Sequence, residues 1–198
     1  MSIRIKCLKY VVYQIIMQEA LIVDDVLEEF VYGKISSPRA KNIISPTKKL
    51  IETARKSKVP VIYVCDAHLP SDPEMDVWGP HAMKGTRGAQ VVQAIKPSKG
   101  DYIFEKRVYS SFQGTGLELL LRDLSVDTVV IVGLLTEICV RHSAADAFMR
   151  GFKVKIPKDC VEALSEKAQR EGIEYLKKMY GAEITTSVKI SQRWSRGL

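Results

Sequence analysis

The chain has 198 residues, 46% of them hydrophobic and 27% charged, with a formal net charge of +7. That length and apolar share describe one globular domain with a substantial core, and exclude a disordered or fibrous chain. Four cysteines (Cys7, Cys65, Cys139 and Cys160) are scattered without a C-x-x-C pair, which argues against a disulfide scaffold or zinc ribbon and for a reducing, cytoplasmic setting. The lysines and arginines are spread along helices and both termini without a nucleic-acid-binding signature, so the positive charge reads as a solvated surface and no nucleic-acid partner is expected.

Residues 1–17 place Arg4, Lys6 and Lys9 ahead of an apolar run from Tyr10 to Met17. The run is interrupted by Gln14, lacks a small-residue cleavage site and is too short to span a membrane. It reads as an N-terminal extension to a domain at 18–190; the end of the chain reads as weakly ordered from Ser187, leaving 191–198 as a tail. The first strand is Ala20 to Asp24, ALIVD, ending in the acidic pair Asp24–Asp25. Lys41 to Lys58 has helical spacing, with Ile44, Leu50, Ile51 and Ala54 inward. Pro60 to Cys65 is a second buried strand and stops at Asp66. The polar loop from Ala67 to Gly88 carries His68, Glu74, Trp78 and His81, and a loop of that length in a compact domain is usually functional or disordered. Tyr102 to Glu105 is a third strand, ending at Lys106, and Gly114 to Leu124 a helix. The β-branched run from Thr128 to Val132 predicts a buried parallel strand broken by Gly133. The helix after it, capped by Thr136 and stopped at Gly151, turns Ile138, Ala145, Phe148 and Met149 inward. A strand at Lys153 to Ile156, a helix at Ser165 to Tyr180 and a strand at Ala182 to Thr186 complete the pattern.

Regular alternation of strand and helix predicts an α/β fold, a three-layer α/β/α sandwich around a six-stranded, mainly parallel, doubly wound sheet. In such sheets the sites lie beyond the carboxyl ends of the strands, at the point where strand order reverses. Asp25 follows the first strand, Asp66 and His68 the second, Lys106 the third and Cys139 the fourth. With the order 3-2-1-4-5-6, the first and fourth strands are neighbours and Asp25 faces Cys139.

Cys139 falls in the first turn of a helix, where unpaired N–H groups and the positive dipole end favour a thiolate. A cysteine nucleophile also needs a base, a charge stabiliser and an oxyanion site. Asp25 suits the base, Lys106 the stabiliser, and backbone N–H groups around Leu135 and Cys139 the oxyanion site. Taken singly, Cys139 is equally a core thiol, Asp25 a helix cap and Lys106 a surface lysine; their convergence at strand ends favours chemistry. Asp66, His68, His81 and Glu74 supply carboxylate and imidazole donors suited to zinc, iron or manganese. His142 is expected to pack or hydrogen-bond. Two other classes fit the same residues: a metal-dependent hydrolase in which Cys139 is structural, and a non-catalytic binding protein on a reused fold.

Three segments, ALIVDDVLEEF (20–30), EKRVYSSFQGTGL (105–117) and GLLTEICVRHSAADA (133–147), resemble the isochorismatase-like cysteine hydrolase superfamily, and the nicotinamidases within it. The resemblance runs from about Ala20 to Ala182. It implies a catalytic triad of Asp25, Lys106 and Cys139, with the acid on Asp25, five residues before Phe30, and not on Asp24. It implies a cis peptide at Leu134–Leu135 that orients the oxyanion N–H groups. The loop DAHLPSDPEMDVWGPH resembles the metal loop of nicotinamidases, which implies a divalent ion, zinc before iron or manganese, on Asp66, His68 and His81 with Glu74, holding a pyridine nitrogen. Phe30 and Trp78 match positions that sandwich the substrate ring. The implied activity is hydrolysis of a small amide, nicotinamide first and an N-carbamoyl amide such as N-carbamoylsarcosine second, by a cytoplasmic homo-oligomer with no membrane partner. Asp25-Val26-Leu27 departs from the Asp-Met-Gln common in the superfamily, and the Lys-x-x-Tyr-Ser spacing is shared with relatives acting on other substrates.

Overall fold

The computed structural model of the chain describes residues 18–197; the expected N-terminal extension, 1–17, lies outside the described residues. The β-rich apolar runs form β1 (Glu19–Asp24), β2 (Val61–Asp66), β3 (Tyr102–Lys106), β4 (Thr128–Leu134), β5 (Lys153–Pro157), β6 (Val161–Glu162) and β7 (Glu183–Thr185). All pair in parallel, in the order β3-β2-β1-β4-β5-β7, with β6 beside β4. The expected doubly wound sheet and its strand order are therefore present, with one strand more than the sequence suggested. The extra strand has a simple origin. β5 pairs only with Thr128 to Val130 of β4, and β6 takes over at Gly133 and Leu134.

The helices are α1 (Glu28–Tyr32), α2 (Ile44–Lys56), α3 (Glu74–Trp78), α4 (Leu117–Asp123), α5 (Cys139–Met149), α6 (Glu166–Tyr180) and α7 (Ser187–Ser195). Alternate strand residues point to opposite faces, so β1 sends Leu21 and Val23 into one core with α1, α2 and α7, and Ala20 and Ile22 into a second with α4, α5 and α6. Burial on both faces explains why β1, β2 and β4 read as unbroken apolar runs.

Three local expectations are corrected. Gly133 does not break its strand: β4 continues to Leu134, and Gly133 adopts φ 134° at a place where an added Cβ would stand 1.7 Å from the Asp24 carbonyl oxygen, so only glycine fits. Thr136 does not cap α5; that helix starts at Cys139, and Thr136 is buried with its N–H donated to the Glu162 carbonyl at 3.0 Å. Phe148 and Met149 are exposed, and the buried face of α5 consists of Cys139, Val140, Ser143, Ala144 and Ala147. Small residues there let the helix lie close to the sheet.

The chain beyond Ser187 is also corrected. It is not a weakly ordered tail but helix α7, capped by Thr186. Ile190 and Trp194 are buried against the α2 layer, and the Trp194 indole N–H donates to Glu19 Oε2 at 2.6 Å. The sparse apolar spacing hid this helix, because two large side chains do most of its packing.

Candidate functional site

β1 and β4 are the neighbours at which strand order reverses, and the residues just beyond the strand ends meet there. Lys106, the last residue of β3, is buried beneath them. Its Nζ lies 2.5 Å from Asp25 Oδ2 and 2.5 Å from Asp66 Oδ1, donates to the Val108 carbonyl at 3.2 Å, and stands 4.0 Å from Asp24 Oδ1. Asp25 Oδ1 accepts the Asp66 backbone N–H at 2.7 Å. The Cys139 sulfur and one carboxylate oxygen each from Asp25 and Asp66 lie within 4.8 Å of one another. Asp25, Lys106 and Cys139, expected together, are together. The Leu134–Leu135 peptide is cis, and Leu135 lines the same cleft as Cys139.

Backbone handedness makes part of this geometry. Successive strand residues face opposite ways, yet Asp24 and Asp25 both approach Lys106. Asp25 sits at φ 54°, a left-handed conformation that aspartate tolerates better than most residues and that turns its side chain back toward the site.

Burial dominates the electrostatics. It pushes Asp25 well above the usual carboxylate range, with the Asp66 charge adding and Lys106 opposing. Burial also lifts Asp24 to about 6, against the pull of Lys106 and Ser143. Lys106 is penalised by burial, but Asp25 and Asp66 outweigh the penalty and raise it well above an ordinary lysine. Asp66 falls below its usual value because Lys106 and His68 overcome its desolvation. The helix start was expected to favour a Cys139 thiolate. Instead burial, reinforced by Asp25 and Asp66, raises the thiol well above its normal value despite Lys106, so the resting group is a thiol.

A second cluster adjoins the first through Asp66. One ligand atom each from Asp66, His68, Glu74 and His81 falls within 4.8 Å of the others. His68 Nδ1 bonds Asp72 Oδ2 at 3.0 Å, and His81 Nδ1 bonds the Gly79 carbonyl at 2.8 Å. Those bonds assign the proton to Nδ1 in each neutral ring and leave both Nε2 atoms facing inward. His68 Nε2 lies 3.4 Å from Asp66 Oδ2 and 3.6 Å from Glu74 Oε2, with His81 Nε2 at 3.8 Å from the latter. His68 Nε2 and Glu74 Oε1 are buried without hydrogen-bond partners. Orphaned, convergent imidazole and carboxylate donors fit a divalent metal. Without one, His68 is pushed up to about 9, since Asp66, Asp72 and Glu74 outweigh the cost of burying its charge.

Asp72 escaped the sequence reading. It orients His68, accepts the Leu69 N–H at 2.9 Å, and is held by Arg107 Nε at 2.9 Å; Arg107 keeps its carboxyl well below the usual range. Its only signal was its position four residues after His68. Ile35, Tyr109 and Ile138 were also missed. They line a cleft with Phe30, Trp78 and Cys139, and the Trp78 indole N–H donates to the Tyr109 hydroxyl at 3.0 Å. His142 is exposed; it hydrogen-bonds the Ile138 carbonyl at 2.7 Å and lies against the Tyr109 ring, in line with the hydrogen-bonding role expected for it.

The sequence matches the isochorismatase domain model over residues 19–188. The chain belongs to the isochorismatase family. Among solved structures of isochorismatase-like proteins, it is similar to N-carbamoylsarcosine amidase from Thermoplasma acidophilum, with 44% identity and a TM-score of 0.82, covering 86% of this chain and 97% of that one. Pyrazinamidase of Pyrococcus horikoshii, solved in complex with zinc, is 28% identical with a TM-score of 0.80, covering 85% and 99% of the two chains. Nicotinamidase 3 of Arabidopsis thaliana is 30% identical over 153 residues, 74% of each chain. Among the described residues of this isochorismatase-family chain, no helix is long and apolar enough to cross a membrane.

Proposed function

We propose that this isochorismatase-family protein is a cysteine amidohydrolase that cleaves a small primary amide, nicotinamide first among candidates, to the carboxylic acid and ammonia. The observation that carries the reading is the shared cleft. Cys139, the aromatic walls Phe30 and Trp78, and the metal-type donors Glu74, His81 and Asp66 all line it. A flat heteroaromatic amide held at its ring by one set presents its carbonyl to the other.

In this mechanism Asp25 takes the Cys139 proton as sulfur attacks the amide carbonyl. Its raised proton affinity suits that task. The oxyanion is received by the N–H groups of Leu135 and Cys139. Asp25 then gives its proton to the departing ammonia, leaving a thioester. It next takes a proton from water, which attacks the thioester, releases the acid and restores the thiol on Cys139. Lys106 keeps the changing charge on Asp25 and Cys139 balanced throughout. Asp66, His68, Glu74 and His81 would hold a divalent ion, zinc before iron or manganese, which supplies a Lewis-acidic anchor for a ring nitrogen when bound.

The test is ammonia release from nicotinamide by the wild type beside Cys139→Ala. Activity abolished in the variant supports both nucleophile and substrate class. No activity in either, with metal supplied, overturns the nicotinamide assignment. The 44% identity to an N-carbamoylsarcosine amidase favours N-carbamoyl amides as the second substrate panel.

A further inference from the structure

Asp24 is a carboxyl group where the fold asks for a hydrocarbon. The preceding four residues of β1 are apolar and fully or almost fully buried, and Asp24 is fully buried as well. Lys106 is shared among Asp24, Asp25 and Asp66, with the latter two at hydrogen-bond distance and Asp24 only at 4.0 Å. Asp24 Oδ1 has no hydrogen-bond partner. A buried carboxyl in a strand, imperfectly satisfied, is costly unless something else requires it.

Its other oxygen shows what that requirement is. Asp24 Oδ2 accepts the Ser143 hydroxyl at 2.7 Å, and Ser143 Oγ in turn accepts the Ser111 backbone N–H at 2.9 Å. Ser143 is one helical turn beyond Cys139 and on the same buried face of α5. Ser111 belongs to the segment that leaves Lys106 and carries Tyr109 into the cleft wall. One carboxyl therefore ties together the three pieces of chain that deliver Asp25, Cys139 and Lys106.

We infer that Asp24 is a positioning residue, which fixes the nucleophile helix and the Lys106 segment against β1 through its bond to Ser143. The inference rests on the reading of Cys139 as nucleophile and is indifferent to which amide is hydrolysed. Its ordinary alternative is a purely structural bond that stabilises the domain without setting the site.

The experiment measures the rate of Cys139 alkylation by iodoacetamide, peptide by peptide, by mass spectrometry. The peptides holding buried Cys65 and Cys160 report general opening of the fold in the same samples. Ser143→Ala and Asp24→Ala are each expected to slow Cys139 labelling by about tenfold to a hundredfold, with Cys65 and Cys160 unchanged. The double variant should lose no more than either single one, because both remove the same bond. Asp24→Asn retains a carbonyl oxygen for Ser143 and should recover the rate to within about threefold of wild type. Wild-type Cys139 that reacts no faster than Cys65 overturns the nucleophile reading and this inference with it. A reactive wild type with unaltered Ser143→Ala, additive losses, or equal failure of Asp24→Asn and Asp24→Ala overturns this inference alone. Faster labelling of Cys65 and Cys160 in Ser143→Ala likewise assigns the bond a merely structural role.

Discussion

The carboxyl of Asp66 holds Lys106 Nζ at 2.5 Å with one oxygen and turns the other toward His68 Nε2 at 3.4 Å. It therefore belongs to both halves of the site. Asp66→Ala should weaken metal binding by at least about tenfold and also quicken Cys139 alkylation, because the Asp66 charge helps hold the thiol protonated, whereas His68→Ala should affect the metal alone. Metal titration and alkylation of the two variants check this; unchanged Cys139 alkylation in Asp66→Ala would show that the halves are independent.

Metal binding should release protons. His68, pushed up to about 9 in the free site, must become neutral to donate Nε2. Affinity should accordingly rise with pH, by about tenfold per unit for one proton, until about pH 9. Calorimetric titration of zinc in buffers of different ionisation enthalpy counts the protons; a pH-independent affinity would contradict the assignment of His68.

Stability should carry the opposite signature at Asp24. Its folded-state value, about 6, is raised above the unfolded carboxylate, so the folded state binds the proton more tightly. That contribution is fully present at acid pH, declines as pH rises between the unfolded value and about 6, and is absent above. Asp24→Asn should therefore be more stable than wild type at neutral pH by on the order of 1–3 kcal/mol, the gain shrinking as pH falls. Urea unfolding at neutral and acid pH measures it.

The end of the chain should prove integral to the domain. Trp194 is buried, and Glu19 receives its indole N–H together with Arg193 and Lys155. Trp194→Ala should cost about 3–5 kcal/mol, read as a lowered urea midpoint, while leaving Cys139 reactivity unaffected in the folded fraction.

The parts that were legible in the sequence share a physical property: they are written in short-range pattern. Consecutive β-branched residues in β4 announce a strand buried on both faces, and alternation with helices announces the parallel sheet. Asp25, Asp66, Lys106 and Cys139 were found because each follows such a strand. Asp72 and Ile35 follow no strand end and carry no period, so only the folded loops bring them to the site. Asp24 was passed over because the resemblance puts the acid on Asp25, five residues before Phe30. Strand alternation would let only one of two adjacent aspartates approach Lys106, and the left-handed turn at Asp25 defeats that rule. Phe148 and Met149 misled in the opposite direction, since apolar side chains on a helix near its exposed end satisfy a periodic pattern without being buried.

Gly133 has a bearing on how the protein could be altered. A methyl group there would collide with the Asp24 carbonyl oxygen at 1.7 Å, and the two strands would have to part. They would part just where one releases Asp24 and Asp25 and the other releases Leu134 and Leu135. The close approach of the two strands thus depends on a hydrogen atom in place of a side chain, and any reshaping of the cleft must work on its aromatic walls, Phe30 and Trp78, while leaving this strand junction alone.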